Sequence, residues 1–388
     1  KGFQATSARL PSRAVARLFV EPQGARRLLG RPPARGTTED RPLSARIERY
    51  IEGVDFIGGA LVVDDREIKL EAIQAFEPSK FRESTSALTV DPSADRPGTR
   101  LYAVPSTAAA LVSLGVDLPA LYRIVRGLVP ADDQPKIPKL ETIGSGLLLG
   151  LDVRRQVLPA LGPRVVAYLE PPDFSGPRPA RAAGLGGFPF PFVVAAEIND
   201  EAGVDSNGSP TVASAIDNAL HTLLAALALD AKRVPADTFV QTVEVDGVAV
   251  RSLSQPSTFA YAVDRPGRRL ILSNTPDAVV RYLEAGADPR AGARFQAFKA
   301  AAFPDSELYA CLDLAAIHDV AVKHRDRLIE ATSRKEHRPA AAVGRDLDQV
   351  LGVVQLFDAA YLSTRVDVKD STLQHTVGLL LSPDDGDR

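Results

Sequence analysis

The chain has 388 residues, 45% of them apolar, and a net charge of −3 from 46 Lys and Arg against 49 Asp and Glu. That length and apolar share can bury one large core or two ordinary ones, and the balanced charge lacks the basic footprint that a nucleic-acid backbone requires. No stretch reaches the roughly 18 apolar residues of a membrane span, because the longest run, Leu223 to Leu229, is cut by Asp230. Cys311 is the lone cysteine and methionine is absent, so neither an intrachain disulfide nor a thiolate metal cage is available.

Taken in chain order, a strand is predicted over 14–20 and a short helix over 23–29, then a helix over 47–50. Gly58 to Val63 and Glu67 to Ile73 alternate around Asp64-Asp65-Arg66, which predicts a hairpin. A second strand-helix pair follows over 108–115 and 117–128, with a further apolar strand expected after Ile143-Gly144-Ser145-Gly146-Leu147. Strands over 164–170 and 191–198 flank a Pro- and Gly-rich loop, 171–191. Other loops are expected over 31–42, 91–98 and 130–138.

A strong helix over 211–230 begins at a Ser209-Pro210 start signal and carries apolar residues at Ile216, Leu220, Leu223, Leu224 and Leu227. Strands over 238–245, 248–253, 259–263 and 269–272 then succeed one another, with turns at Asp246-Gly247 and Pro266-Gly267. A helix starts at Asn274-Thr275-Pro276-Asp277, and the last segment gives a strand over 307–313, helices over 314–328 and 347–354, and a hairpin of 359–366 with 372–379. Strands joined by tight turns, with helices beside them, predict an α+β fold of antiparallel sheets with helices packed mainly on one face.

The order strand, helix, hairpin recurs near 11–77, 100–198 and 303–382, which points to three diverged copies of one module. The chain accordingly divides into an N-terminal module over 1–99, a middle module over 100–198 holding the long loop, a helix with a meander over 199–302, and a C-terminal module over 303–388.

Two stretches carry a family resemblance. One is Gly146 to Leu169, where Gly150-Leu151-Asp152 precedes Val157-Leu158-Pro159-Ala160-Leu161-Gly162 and a strand. The other is Leu270 to Leu314, where Leu272-Ser273-Asn274-Thr275-Pro276-Asp277-Ala278-Val279 precedes a helix, Phe303-Pro304 and a strand ending at Leu312-Asp313-Leu314. Over about 101–317 the chain resembles the bacterial family known as domain of unknown function 3352. That resemblance implies an extracytoplasmic α+β repeat fold and brings no activity with it. An exported protein also fits the start at Lys1, which predicts a removed N-terminal segment.

No residue pattern predicts catalysis, a cofactor or a metal. His318 and His324 are six apart, too far around a helix for two ligands on one face, and His221 and His375 read as structural. His324-Arg325-Asp326 lacks the downstream Asn and Gly-rich loop of a kinase. Gly144-Ser145-Gly146 is not a nucleophile elbow, and Gly184-Leu185-Gly186-Gly187 follows a proline-rich loop, not a strand. Asp200, Glu201, Asp205 and Asn207 form an acidic turn that lacks the distal glutamate of a calcium loop.

The distinctive surface element is Phe188-Pro189-Phe190-Pro191-Phe192, whose alternating aromatics either plug the core or form a docking strip. The sequence therefore predicts a non-catalytic protein of the cell envelope that contributes to an assembly or binds a protein partner, with Phe188, Phe190 and Phe192 as the partner-binding residues. The alternatives are a carrier holding an apolar ligand between sheet and helices, and a hydrolase whose residues come from distant positions.

Overall fold

A computed structural model describes residues 2–22, 24, 52–85, 87–88, 101, 104–130, 132–171, 190–199, 211–229, 238–254, 259–286, 288, 292–301 and 306–382. The helices expected over 23–29 and 47–50, the loops over 31–42 and 91–98, most of the loop 171–191 and the acidic turn 200–207 lie outside these residues.

The N-terminal part runs α1 (Gly2–Arg9), β1 (Ala16–Val20), β2 (Val54–Val63), β3 (Glu67–Phe76) and α2 (Pro78–Thr85). Then come β4 (Ala110–Gly115), α3 (Leu118–Leu128), α4 (Ile137–Leu147), a π-helical turn at Val153–Val157, β5 (Leu161–Leu169) and β6 (Phe192–Ile198). The meander follows α5 (Val212–Ala228) as β7 (Val240–Val245), β8 (Val248–Leu253), β9 (Ala260–Asp264) and β10 (Arg269–Ser273). The chain closes with α6 (Pro276–Ala285), α7 (Ala293–Ala301), β11 (Leu308–Asp313), α8 (Leu314–Lys323), α9 (Arg325–Glu336), α10 (Ala340–Val354), β12 (Phe357–Asp367) and β13 (Thr372–Leu381).

All the strands join one sheet, in the order β1-β2-β3-β13-β12-β11-β4-β5-β6-β10-β9-β8-β7. Every neighbouring pair is antiparallel. The α+β class and its antiparallel pairing are thus as the turn chemistry predicts. The C-terminal strands β11 to β13 sit between β3 and β4, and so bridge the N-terminal hairpin to the remainder.

Helix starts follow local capping. Asp117 accepts from the Ala120 amide at 2.9 Å to open α3, Thr211 accepts from Ser214 at 3.2 Å to open α5, and Asp313 accepts from Ala316 at 2.8 Å to open α8. Each satisfies an amide that the first helical turn leaves unpaired.

The two faces of the sheet differ in their cover. On the inner face, one row of paired residues runs through Val166, Ala195, Ile271, Ala262 and Val250. These join the main core with Ala278, Val279 and Tyr282 of α6 and with Phe295 and Phe298 of α7. Farther along this face α1 packs so closely on β2 that a Cβ on Gly58 would stand 2.3 Å from Thr6.

On the outer face, α5 sets Leu224 against Leu253 and Tyr261, and Ile216 joins Leu270 and Ile198. Over β8 to β10 the sheet is therefore covered on both sides, and helices mainly on one face do not describe this part. The reason is legible in the strands themselves, since Ala260, Tyr261 and Ala262 are apolar in succession and each is fully buried.

Two local expectations are corrected. Ile143 to Leu147 is the last part of α4, and the loop expected over 130–138 already contains a turn of 3-10 helix at Gln134–Lys136 that leads into it. The helix expected over 314–328 is interrupted at His324, whose φ of −111° and ψ of 20° leave the helical region.

Candidate ligand-binding face

Among the described residues the outer face between α2 and α5 is apolar and partly exposed. Pairing register lines up Leu70, Val377, Leu362, Ala310, Val112 and Ala167 in one row across β3, β13, β12, β11, β4 and β5. A second row on the same face holds Ile68, Leu379, Ala360, Leu312, Ala110 and Leu169. A third holds Ala72, His375, Thr364, Leu308, Leu114 and Val165. Apart from His375 and Thr364, every one of these side chains is aliphatic.

An antiparallel sheet that turns one face to water ordinarily carries polar residues there. Here Leu70, Val377, Leu362, Val112 and Leu312 are each between 38% and 52% exposed. At one end of the strip α2 closes the face, where Phe81 packs with Phe76 and Leu373. At the other, α5 covers β8 to β10. With strands about 4.8 Å apart, the six strands give the strip a length of roughly 24 Å.

The one polar pair in the strip is fixed by a hydrogen bond between Thr364 Oγ1 and His375 Nδ1 at 2.9 Å. The other ring nitrogen, Nε2, is buried without a partner. Burial among aliphatic side chains pushes the imidazole below its ordinary value of 6.5, because the surroundings disfavour the charged form. A neutral His375 leaves the strip uncharged.

Of the three predicted phenylalanines, Phe192 opens β6 beside this face, since it pairs with Leu169 of the second row. Its amide donates to Asn274 Oδ1 at 3.0 Å, and its carbonyl accepts from Ser273 Oγ at 2.6 Å. Phe190 is 37% exposed and its carbonyl accepts from Asn274 Nδ2 at 2.9 Å. Asn274 thus clamps the chain where it enters the sheet. Phe188 lies outside the described residues.

The histidines do not converge. His221 is exposed on α5, His318 stands 3.5 Å from Asp319, and His337 caps α9 in the left-handed conformation at φ 54°. Among the described residues no group of three or more His, Cys, Asp and Glu side chains comes together as metal ligands do. The Cys311 thiol is buried and pushed up to about 11, chiefly by desolvation, so it is a poor nucleophile at neutral pH.

Three buried carboxylates are held in structural pairs. Arg269 grips Asp264 within the β9–β10 hairpin, with its guanidinium 5.2 Å from the centre of the Tyr282 ring. Arg281 holds Glu170, and Arg294 holds Asp313. Each ties a strand end to a helix or a turn.

This apolar face was missed from sequence, although its signal was present. A strand covered on one side alternates in polarity, whereas Val377-Gly378-Leu379-Leu380-Leu381 is apolar throughout and Ala108-Ala109-Ala110-Leu111-Val112 likewise.

No family model matches the chain. No curated protein matches it either. A solved structure of TP0453, in its crystal form I, is 11% identical over 70% of this chain and 94% of its own, with a TM-score of 0.11, which is too low to support an argument. Among the described residues no helix is long and apolar enough to cross a membrane.

Proposed function

We propose that this protein is a non-catalytic carrier that holds the hydrocarbon part of a lipid-class ligand against the outer face of its sheet. The observation that carries the reading is the aliphatic strip from β3 to β5, partly exposed through Leu70, Val377, Leu362, Val112 and Leu312 and free of charged side chains in its three rows. Covering it removes water from aliphatic surface, worth about 25 cal/mol per Å². His375 Nε2 is buried beneath the strip and offers a ligand no polar contact, so the surface is hydrocarbon-like, which suits a ligand with a long apolar chain and few polar atoms.

Native purification followed by solvent extraction and mass spectrometry is the direct test, together with titration of a fluorescent long-chain fatty acid. Leu362→Glu and Val377→Glu place charge in the middle of the strip at exposed positions, so the fold is expected to survive. Probe affinity is expected to fall at least about tenfold, since a buried unpaired carboxylate costs several kcal/mol. Unchanged binding in both variants, with no lipid in the native extract, would overturn the reading.

A second reading is favoured by the exposure of Phe190, which gives the end of the long loop an aromatic anchor for a protein contact. Replacing Phe188 and Phe190 by Ser would then release a partner or an assembly with little loss of thermal stability. An extracytoplasmic setting belongs to the same proposal, supported by the near absence of oxidisable sulfur and by turn patterns that resemble those of an exported family. So does the reading of three diverged modules, which rests on the recurring order of elements, with the β2–β3 and β12–β13 hairpins at corresponding places.

A further inference from the structure

A surface helix of a globular protein ordinarily turns its apolar residues inward. Helix α4 does the reverse. Ile137, Glu141, Gly144 and Ser145 are its less exposed positions, while Leu140, Ile143 and Leu147 are 66%, 61% and 40% exposed. The spacing of three and four puts those three on one stripe along the helix.

The inward side explains itself. Glu141 accepts from the Tyr122 hydroxyl of α3 and stands 3.7 Å from Arg126 and 3.9 Å from Arg154. Gly144 admits a Val153 methyl to within 3.3 Å of where its Cβ would lie. Polar contacts, close approach and the packing of Leu148 just past the helix thus hold α4 in place without using Leu140, Ile143 or Leu147. Just past the helix, Leu149 takes a φ of 57°, which an L residue adopts at a cost of roughly 1 kcal/mol, and its side chain is 48% exposed.

Charge decides what covers the stripe. Residues 118–157 carry six Lys and Arg against four Asp and Glu, in a chain that is negative as a whole. Three of those four carboxylates are engaged: Glu141 as above, Asp152 in capping Arg154 and Arg155, and Asp133 with Lys136. Lys139 borders the stripe, and exposed Arg123 and Arg155 lie on the elements packed beside it. An outward apolar stripe with a cation beside it and further exposed cations on neighbouring elements has the composition of a surface that lies in the headgroup region of an anionic bilayer.

We infer that α4 docks the protein on a negatively charged lipid surface, with Leu140, Ile143 and Leu147 immersed and the surrounding cations on the headgroups. The inference goes beyond the carrier reading and rests on different residues, so each can fail alone. It is tested by co-sedimentation with vesicles of phosphatidylcholine and of phosphatidylcholine with 30% phosphatidylglycerol, in low and high salt. Because the chain contains no tryptophan, Ile143→Trp provides a single reporter.

The wild type is expected to bind the anionic vesicles and to lose most of that binding in high salt. The Ile143→Trp emission is expected to shift to the blue on binding. A triple change of Leu140, Ile143 and Leu147 to Gln is expected to weaken binding at least about tenfold with an unchanged circular dichroism spectrum, since all three side chains face water. Replacing Lys139, Arg123 and Arg155 by Gln is expected to abolish the preference for anionic vesicles. Absence of binding, binding unchanged by the triple Gln variant, or a reporter blue-shifted in free protein because a second protein copy covers it would overturn the inference.

Discussion

His375 is the residue whose protonation the fold resists. Its neutral ring sits beside Ala72 and Thr364, and burial lowers its pKa from 6.5. In the unfolded chain the ring takes up a proton near that ordinary value, while in the folded chain it does so only at lower pH. The unfolded state thus binds more protons in the interval, and stability is complete above 6.5 and declines as pH falls towards the folded value. The melting temperature is expected to drop between pH 7.5 and 4.5 more steeply in the wild type than in His375→Gln, because the carboxylates contribute equally to both. Equal slopes would show that burial does not hold the ring neutral. From sequence this histidine reads as structural, and its place among the aliphatic residues of the outer face emerges only from the pairing of β13 with β3 and β12.

Among the elements, those built from local chemistry were legible and those defined by distant neighbours were not. Asp64-Asp65-Arg66 predicts the β2–β3 turn because the Asp64 carboxylate accepts from the Arg66 and Glu67 amides, each at 3.0 Å. The meander β7 to β10 follows from Asp246-Gly247, where both residues take positive φ. By contrast α4 was misread as leading into a strand, since two glycines beside an unbroken run of leucines hide a helical period. Its helical state is stabilised by Glu141 meeting α3 and by Val153 approaching Gly144, contacts that sequence spacing does not report. Phe192 needed a tertiary partner in the same way. Asn274 holds both Phe190 and Phe192 through its amide, and Asn274→Leu keeps the volume while removing both bonds. Such a change is expected to destabilise by about 2 kcal/mol, at about 1 kcal/mol for each hydrogen bond. Denaturant unfolding measures it, and limited proteolysis within 171–191 is expected to accelerate if the bonds secure that end of the loop.

At the scale of the whole molecule, the sheet is continuous only because β11, β12 and β13 lie between β3 and β4. Removal of residues 356–388 takes away both strands that join β3 to β11. The truncated chain is expected to unfold in two steps or to aggregate through the edges so exposed, whereas the full chain unfolds in one transition. A single sharp transition in the truncated protein would show that its halves associate without the bridge. The same arrangement bears on biosynthesis. When β3 leaves the ribosome, its neighbour β13 has yet to be made, about 300 residues and, at roughly 5 to 20 residues per second, some tens of seconds later. Throughout that interval the nascent hairpin β2–β3 presents an open edge and an aliphatic face, the condition under which a strand is most prone to pair with the wrong chain.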